Sequence, residues 1–318
     1  MTDVKKKIEV VSYNPKWPEM FAEEAKQVWQ ALGNNCIAIH HIGSTSIPSL
    51  AAKPIIDILP IVRNILEVDR VAGAMARLGY EAKGEYGIAF RRYFQKGKNT
   101  RTHNVHIYEQ EDPEIDRHVK FRDWLRSHDD DAKSYAQLKL KLAEQFPQNI
   151  LQYCLGKDTF VAGIDAKDGF NGWRMVQALT DREWAAVRAF RLKYFFKSNV
   201  DPFTWTFDRR DHVHWVFYKN DKIVGYVHLQ LWPEERAYLR IIVIDEQYRK
   251  LGYGSQLLGL CERWLHHQGY KKLMIQSSSE AYQFYLKHGY AKMPLNDPNG
   301  RYTDSRDIEI GKLLFVKF

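Results

Sequence analysis

The sequence predicts an α+β protein of two domains, and three observations carry that prediction. The 318 residues are about twice a typical domain length. Apolar patterns of helical and strand period alternate in both halves. The segment "VAGIDAKDGFNGW", residues 161–173, holds three glycines without sustained periodicity and reads as the junction. The boundary is placed at Lys167, giving domains 1–167 and 168–318.

In the first domain "WPEMFAEEAKQVWQAL" is an amphipathic helix with a proline near its start, and "CIAIHHI" and "KPIIDILPIV" are strands. "EVDRVAGAMARLGY" reads as a helix, "RRYFQKG" and "RTHNVHIYE" as strands paired around "KGKN", and "RHVKFRDWLRSH" and "AKSYAQLKLKLAEQF" as two helices. In the second domain "LTDREWAAVRAFRLKYFF" opens with Thr180 and Glu183 at capping-box spacing, which starts a helix there. Two strands then join at Asn220-Asp221, and "AYLRIIVI" follows the turn "PEER" as a third.

Composition narrows the function classes. A hydrophobic fraction of 45% and a charged fraction of 27% are those of a globular protein, so disorder is not expected to dominate. Cys36, Cys154 and Cys261 are odd in number and form no CxxC, which argues against a disulfide framework or zinc site and for buried or inert thiols. No apolar run approaches the roughly 18 residues that span a bilayer, and "MTDVKKKIEV" has no apolar core of a signal peptide, so the cytoplasm is the expected compartment. Lys and Arg against Asp and Glu number 23 to 22 in residues 1–165, a charge of +1, and 24 to 17 in residues 166–318, a charge of +7. The basic second half suits a polyanionic partner such as a phosphorylated cofactor. Without a helix-turn-helix, zinc or RNP-like pattern, nucleic acid is not the expected one.

The sharpest motif is "YRKLGYGS", residues 248–255, between the strand-like "RIIVI" and the amphipathic "SQLLGLCERWLHH". Glycines after a strand and before a helix let backbone approach a ligand, while the first helical amides lack internal acceptors and attract anions. A tight turn explains two glycines as readily. With Arg249 completing R-x-x-G-x-G, and with "KKLMIQ" and "SSSEAYQFYLKHGY" downstream, residues 172–318 resemble the GNAT acetyltransferases.

That resemblance implies acetyl-CoA as cofactor, with its diphosphate at Arg249, Leu251, Gly252, Tyr253, Gly254 and Ser255. It implies that the backbone of Ile242 and Ile244 meets the pantetheine arm and acetyl carbonyl, and that Tyr285 protonates the departing thiolate. It assigns no base among Glu234, Glu235, Asp245 and His228. The acceptor, a small-molecule or peptide amine, would lie along "KSNVDPFTWTFDRRDHVHW", where Asp201, Asp208 and Asp211 are interleaved with aromatic residues.

A second motif, "HIGSTSIPSLAAKPIIDI", with "RTHNVHIYE", "FRDWL" and "LGKDTF", resembles the GrpB family over residues 8–163, and with it a nucleotidyltransferase-like fold. In that superfamily a Gly-Ser turn positions phosphates and a D-x-D pair holds two Mg²⁺ ions. Gly43 and Ser44 match the turn and Asp57 the first carboxylate, with Leu59 at the second. His41, Lys53, Arg101, His103 and His106 complete the candidate N-terminal ligand site. On a regular strand His103 and His106 point to opposite faces, which suits a structural role for one of them.

The expected function is acetyl transfer from acetyl-CoA to a primary amine by the C-terminal domain, with a nucleotide or other phosphorylated ligand bound by the N-terminal one. The alternatives are a metal-dependent nucleotidyltransferase, with Mg²⁺ at Asp57, and a non-catalytic nucleotide- or CoA-sensing module. Leu59 favours binding over transfer.

Overall fold

The computed structural model describes residues 7–98, 100–196, 200–298 and 306–314. The chain forms two compact units, Met1–Tyr86 with Phe90–Trp173, and Gly87–Ala89 with Arg174–Phe318.

The first unit begins with α1 (Trp17–Leu32), whose buried Trp17, Glu24, Val28 and Leu32 recur at helical spacing. Then follow β1 (Cys36–Ile42), β2 (Ile56–Val62), α2 (Leu66–Arg70), α3 (Ala72–Arg77), β3 (Tyr80–Ala82), β4 (Arg92–Lys96) and β5 (His103–Glu109). Four helices close the unit: α4 (Pro113–Ser127), α5 (Asp129–Gln145), α6 (Ile150–Leu155) and α7 (Asp158–Lys167). The five strands lie in the order β1-β2-β5-β4-β3, with β2 and β5 parallel and the other pairs antiparallel.

Period-2 alternation divides the sheet's faces. Ile56, Ile58, Phe94, Val105 and Ile107 enter an apolar core with Trp17 and Val28 of α1 and Met75 of α3. Asp57, Asn104, His106 and Tyr93 stand on the opposite face, since Asp57 is in register with Asn104 and Tyr93 with His106. Residue parity on three strands therefore sets the polar floor described below.

Two expectations shift. The single helix expected over 67–80 is two short ones, separated at Val71 (φ −99°, ψ 8°). The expected junction is helical through Lys167, because Ile164 packs into the apolar cluster of Leu125 and Tyr135. Tertiary burial there overrides the weak local pattern.

The second unit has β6 (Trp173–Gln177) and α8 (Asp181–Tyr194), which opens with both bonds of the Thr180–Glu183 capping box. Next come β7 (His212–Lys219), β8 (Lys222–Trp232), β9 (Arg236–Ile244), α9 (Tyr253–His267), β10 (Lys272–Ser277), α10 (Ser279–Lys287), β11 (Ala291–Lys292) and β12 (Ile308–Leu313). The strand order is β11-β12-β10-β9-β8-β7-β6, with β9 and β10 parallel. On one face α8 covers Val216, Tyr226, Ile241 and Val243. Buried Leu257, Leu258, Cys261, Trp264 and Leu265 mark the apolar stripe of α9, and Trp264 meets Trp215 of β7 edge-on at 5.1 Å. Among the described residues no helix is long and apolar enough to cross a membrane.

Candidate functional sites

In the second unit the sheet opens at one point. The β9–β10 ladder runs from Arg236↔Lys272 to Leu239↔Ile275 and stops there, although β9 continues to Ile244. At the same level β9 carries a bulge against β8: His228 and Leu229 face Ile241 and Leu239, so Arg240 is the extra residue. Among the described residues the β9–β10 ladder has no rung beyond Leu239, and Ile242 is half-buried between buried Ile241 and Val243.

The loop after β9 leads into α9 through Gly252, whose φ of +83° glycine adopts at no steric cost. Lys250 takes φ +62° two residues earlier, where a side chain is strained. No side chain caps α9, and its first intrahelical bond is Gln256 N–H to Gly252 O at 3.1 Å. A side chain at Gly252 would meet open space, and one at Gly254 would reach only the Phe284 ring of α10 at 3.7 Å. The turn thus presents amides around Leu251–Ser255 to an open approach. Arg249 tethers the loop instead, its Nε donating to Ile244 O at 3.0 Å and its guanidinium lying 5.1 Å from the Tyr194 ring centroid.

Tyr285 follows Phe284 on α10 and is 6% exposed. Burial, with Cys261 and Tyr238 beside it, pushes its phenol above the ordinary range, so it holds its proton at neutral pH. The unassigned base gains no strong candidate. Glu234 and Glu235 are exposed turn residues, and Asp245 accepts from Lys193, Tyr194 and the amide of Gln247. His228 is buried, 2.7 Å from His212 Nδ1 and stacked on His214. Of the expected acceptor segment, Lys197–Asn199 lie outside the described residues. Asp201 is clasped by the buried Arg191 at 2.5 and 3.0 Å, and Asp211 pairs with Arg209, while Phe203 and Trp205 are exposed. Two of the three carboxylates expected to attract an amine already hold an arginine.

In the first unit, "HIGSTS" ends β1 and turns through Ser44–Ser46. Gly43 has φ +68°, and a Cβ there would stand 2.4 Å from Asp57 Oδ2, so glycine is required to let Asp57 pack beneath the turn. Arginines of "FRDWLRS" hold the turn from outside: Arg122 donates to His41 O at 3.1 Å and Arg126 to Ser46 O at 2.7 Å. Asp57 accepts from Asn104 Nδ2 at 2.8 Å and faces His106 Nε2 at 3.7 Å. Burial opposes its ionisation, but these bonds hold its carboxyl below the usual range.

A cavity of about 300 Å³ opens over this floor. Gly43, Ser44, Lys53, Asp57, Arg101 and His106 line it, so six of the eight candidates meet from segments distant in sequence. His41 and His103 do not. His41 stacks on Phe21 at 4.5 Å and bonds Thr45, with burial pushing its pKa down to about 4. His103 sits 3.9 Å from Glu24 on the opposite face of β5 from His106, as strand alternation requires. Leu59 is fully buried. The expected Mg²⁺ site at Asp57 has no support: among the described residues no group of three or more His, Cys, Asp or Glu is placed to hold a metal.

The sequence reading missed Lys139, Lys157, Tyr153 and Cys154, which line the same cavity from α5, α6 and the α6–α7 junction. Lys157 lies inside "LGKDTF", so the motif carried a signal; Lys139 looked like an ordinary face residue of a basic helix. Of the three thiols expected to be buried or inert, Cys36 and Cys261 are buried and Cys154 is exposed.

Residues 176–290 match the acetyltransferase (GNAT) family and residues 7–167 the GrpB protein family. The UPF0157 protein YqkA of Bacillus subtilis (strain 168) is 52% identical over 170 residues, 54% of this chain and 49% of that protein, so the chain spans about half the length of this relative. The crystal structure of the conserved protein GrpB from Enterococcus faecalis is 46% identical, covering 50% of this chain and 96% of that one at a TM-score of 0.49. The ribosomal-protein-S18-alanine N-acetyltransferase of Escherichia coli is 18% identical, covering 45% of this chain and 95% of that one at a TM-score of 0.37. With just over half of its length matched, the chain belongs to the GrpB protein family and carries a GNAT-family acetyltransferase domain after the GrpB part.

Proposed function

We propose that the second unit transfers acetyl from acetyl-CoA to a primary amine. The observation that carries the reading is the parting of β9 from β10 after Leu239, beside the open amides that begin α9. Amides around Leu251, Gly252, Tyr253, Gly254 and Ser255 hold the diphosphate, with Arg249 bracing the loop. The backbone of Ile242 and Ile244 lies along the pantetheine arm. When bound, acetyl-CoA supplies a thioester whose carbonyl carbon accepts the amine.

As the C–N bond forms, charge grows on the carbonyl oxygen, and an amide N–H of β9 near the Arg240 bulge stabilises it by about 3 kcal/mol, the scale of an oxyanion-hole donor. The C–S bond then breaks, Tyr285 gives its proton to the leaving sulfur, and the attacking nitrogen loses one to solvent. The products are an acetamide and free CoA. Tyr285 suits the acid role because burial keeps its phenol protonated. The exposed Phe203 and Trp205 line the acceptor's approach.

Incubating the full chain with acetyl-CoA and a panel of amines and peptides tests this. Acetylated amine with stoichiometric CoA release is the expected result; acetyl-CoA that neither reacts nor raises the melting temperature overturns it.

For the first unit we read the cavity as a site for a nucleotide or other phosphorylated ligand, held through Ser44, Lys53, Arg101 and His106. This is supported by the cations that converge there, and binding without transfer is favoured because Leu59 supplies no second carboxylate.

A further inference from the structure

The charge balance of the first unit's cavity is unusual. Lys53, Arg101, Lys139 and Lys157 line it against a single carboxylate, Asp57, which Asn104 and His106 already engage. Charges withdrawn from water are ordinarily paired, because an isolated one is costly. Here Lys53 and Lys157, both half-buried, make no ion pair with a carboxylate among the described residues. Instead their ammonium groups stand 4.9 and 4.8 Å from the centroid of one ring, Tyr153, which is itself buried. Lys139, 2% exposed, lies 4.6 Å from the Tyr135 centroid and donates to Ala51 O. Cation–π contact offsets part of the desolvation but neutralises nothing.

We propose, on the reading above that this cavity takes a phosphorylated ligand, that its occupant is an organic diphosphate whose two phosphate groups sit among Lys53 and Lys157 at Tyr153 and Lys139 at Tyr135. Lys53, Arg101 and Lys157 exceed the one carboxylate by two charges, and Lys139, whose ammonium burial pushes down to about 7, adds a third once an anion lies beside it, which matches a diphosphate better than a monoester. At about 300 Å³ the cavity is at the small end of ligand pockets, about 300–1,000 Å³. Phe121, Tyr135 and Tyr93 give it aromatic walls that inorganic diphosphate would leave uncovered. A neighbouring cleft of about 250 Å³ shares Lys53, Ile55, Arg101 and Ile150 with it and adds Lys7 and Lys98 against Glu9, so a net positive surface extends outward along the path an organic tail would take.

Cys154 provides the readout, because it lines the cavity and is exposed while Cys36 and Cys261 are buried. Maleimide labelling of the native full chain therefore reports on Cys154, followed by peptide mass mapping. ADP serves as the organic diphosphate, with inorganic pyrophosphate, AMP and orthophosphate as comparison arms at constant ionic strength. ADP is expected to slow labelling about tenfold at ten times its Kd, by mass action, pyrophosphate to protect at higher concentration, and AMP and orthophosphate least. Lys157→Met and Lys53→Met keep an apolar stem over Tyr153 and should abolish protection, while Lys133→Met at an exposed position should not. Melting curves verify that each variant is folded.

Gly254→Asp separates the two readings. Protection of Cys154 persists in that variant if the site belongs to the first unit, whatever becomes of acetyl transfer. Absence of protection by millimolar ADP or pyrophosphate, equal protection by AMP and ADP, or protection retained in folded Lys157→Met and Lys53→Met overturns the proposal.

Discussion

The loop of the second unit offers its polar contacts from Leu251 to Ser255, consecutive main-chain amides at a helix start, whereas the cavity of the first unit gathers Lys53, Arg101, Lys139 and Lys157 from segments spread over the domain. The first arrangement needs only a short stretch of chain with the right φ angles. The second exists only once β2, β5, α5 and the α6–α7 junction are packed together. Substitutions should therefore act differently in the two places: in the loop by blocking or straining backbone, in the cavity by changing the charge balance of a packed interior.

The largest effect is expected at Gly254. Gly254→Asp puts a carboxylate where phosphate charge would sit, and like-charge juxtaposition of several kcal/mol should lower kcat/KM for acetyl-CoA about 10³-fold. The fold should not suffer, because the added Cβ meets only the Phe284 ring at 3.7 Å and an acid in the first turn of α9 favours the helix. Unchanged kcat/KM in a folded variant would remove the loop from the account.

Next is Tyr285→Phe, expected to lower kcat about 10²-fold with KM for acetyl-CoA little changed, as for a positioned acid. Loss of thermal stability with kcat intact would make Tyr285 a packing residue, which its contacts with Phe284 and Tyr290 also allow.

Acid should strain both units. Burial pushes His41 and His118 of the first unit down to about 4 and about 3, and His214 of the second down to about 3. These histidines are neutral in the fold but titrate near 6.5 when unfolded, so below about pH 6.5 the unfolded chain binds more protons. Stability is full above that pH and falls as pH drops towards 4. Melting temperatures measured across this range should decline in wild type, and less steeply in His41→Gln, provided that variant folds. A flat profile would contradict the buried, neutral assignment.

The smallest effect concerns Lys250, at φ +62°. Lys250→Gly should relieve left-handed strain and stabilise the chain by about 0.5–1 kcal/mol, read from denaturant midpoints, with acetyl transfer retained.

What the sequence revealed follows the same division. Local signals were legible: the capping box of α8, the Asn220-Asp221 hairpin with Asn220 at φ +53°, and the strand–glycine–helix of the loop are each fixed within a few residues. The alternation that separates His103 from His106 was legible too. Lys139 was not, because a lysine on a helix face becomes a cavity cation only through tertiary packing, and Lys157 was signalled only by its place in "LGKDTF". His41 had the opposite fate: adjacent to the Gly-Ser turn in sequence, it turns away to stack on Phe21. The parting of β9 from β10 is implied by the family resemblance of the "RIIVI" strand but not by its pattern, since an apolar strand reads the same with or without a neighbour.

Whether the backbone of the α9 loop holds acetyl-CoA is decided by hydrogen exchange of the full chain with and without saturating acetyl-CoA. Exchange at the amides of Leu251–Ser255 is expected to slow in wild type and not to slow there in Gly254→Asp. Amides of Leu251–Ser255 that exchange at the same rate with and without acetyl-CoA in the wild-type chain would contradict backbone binding of the cofactor.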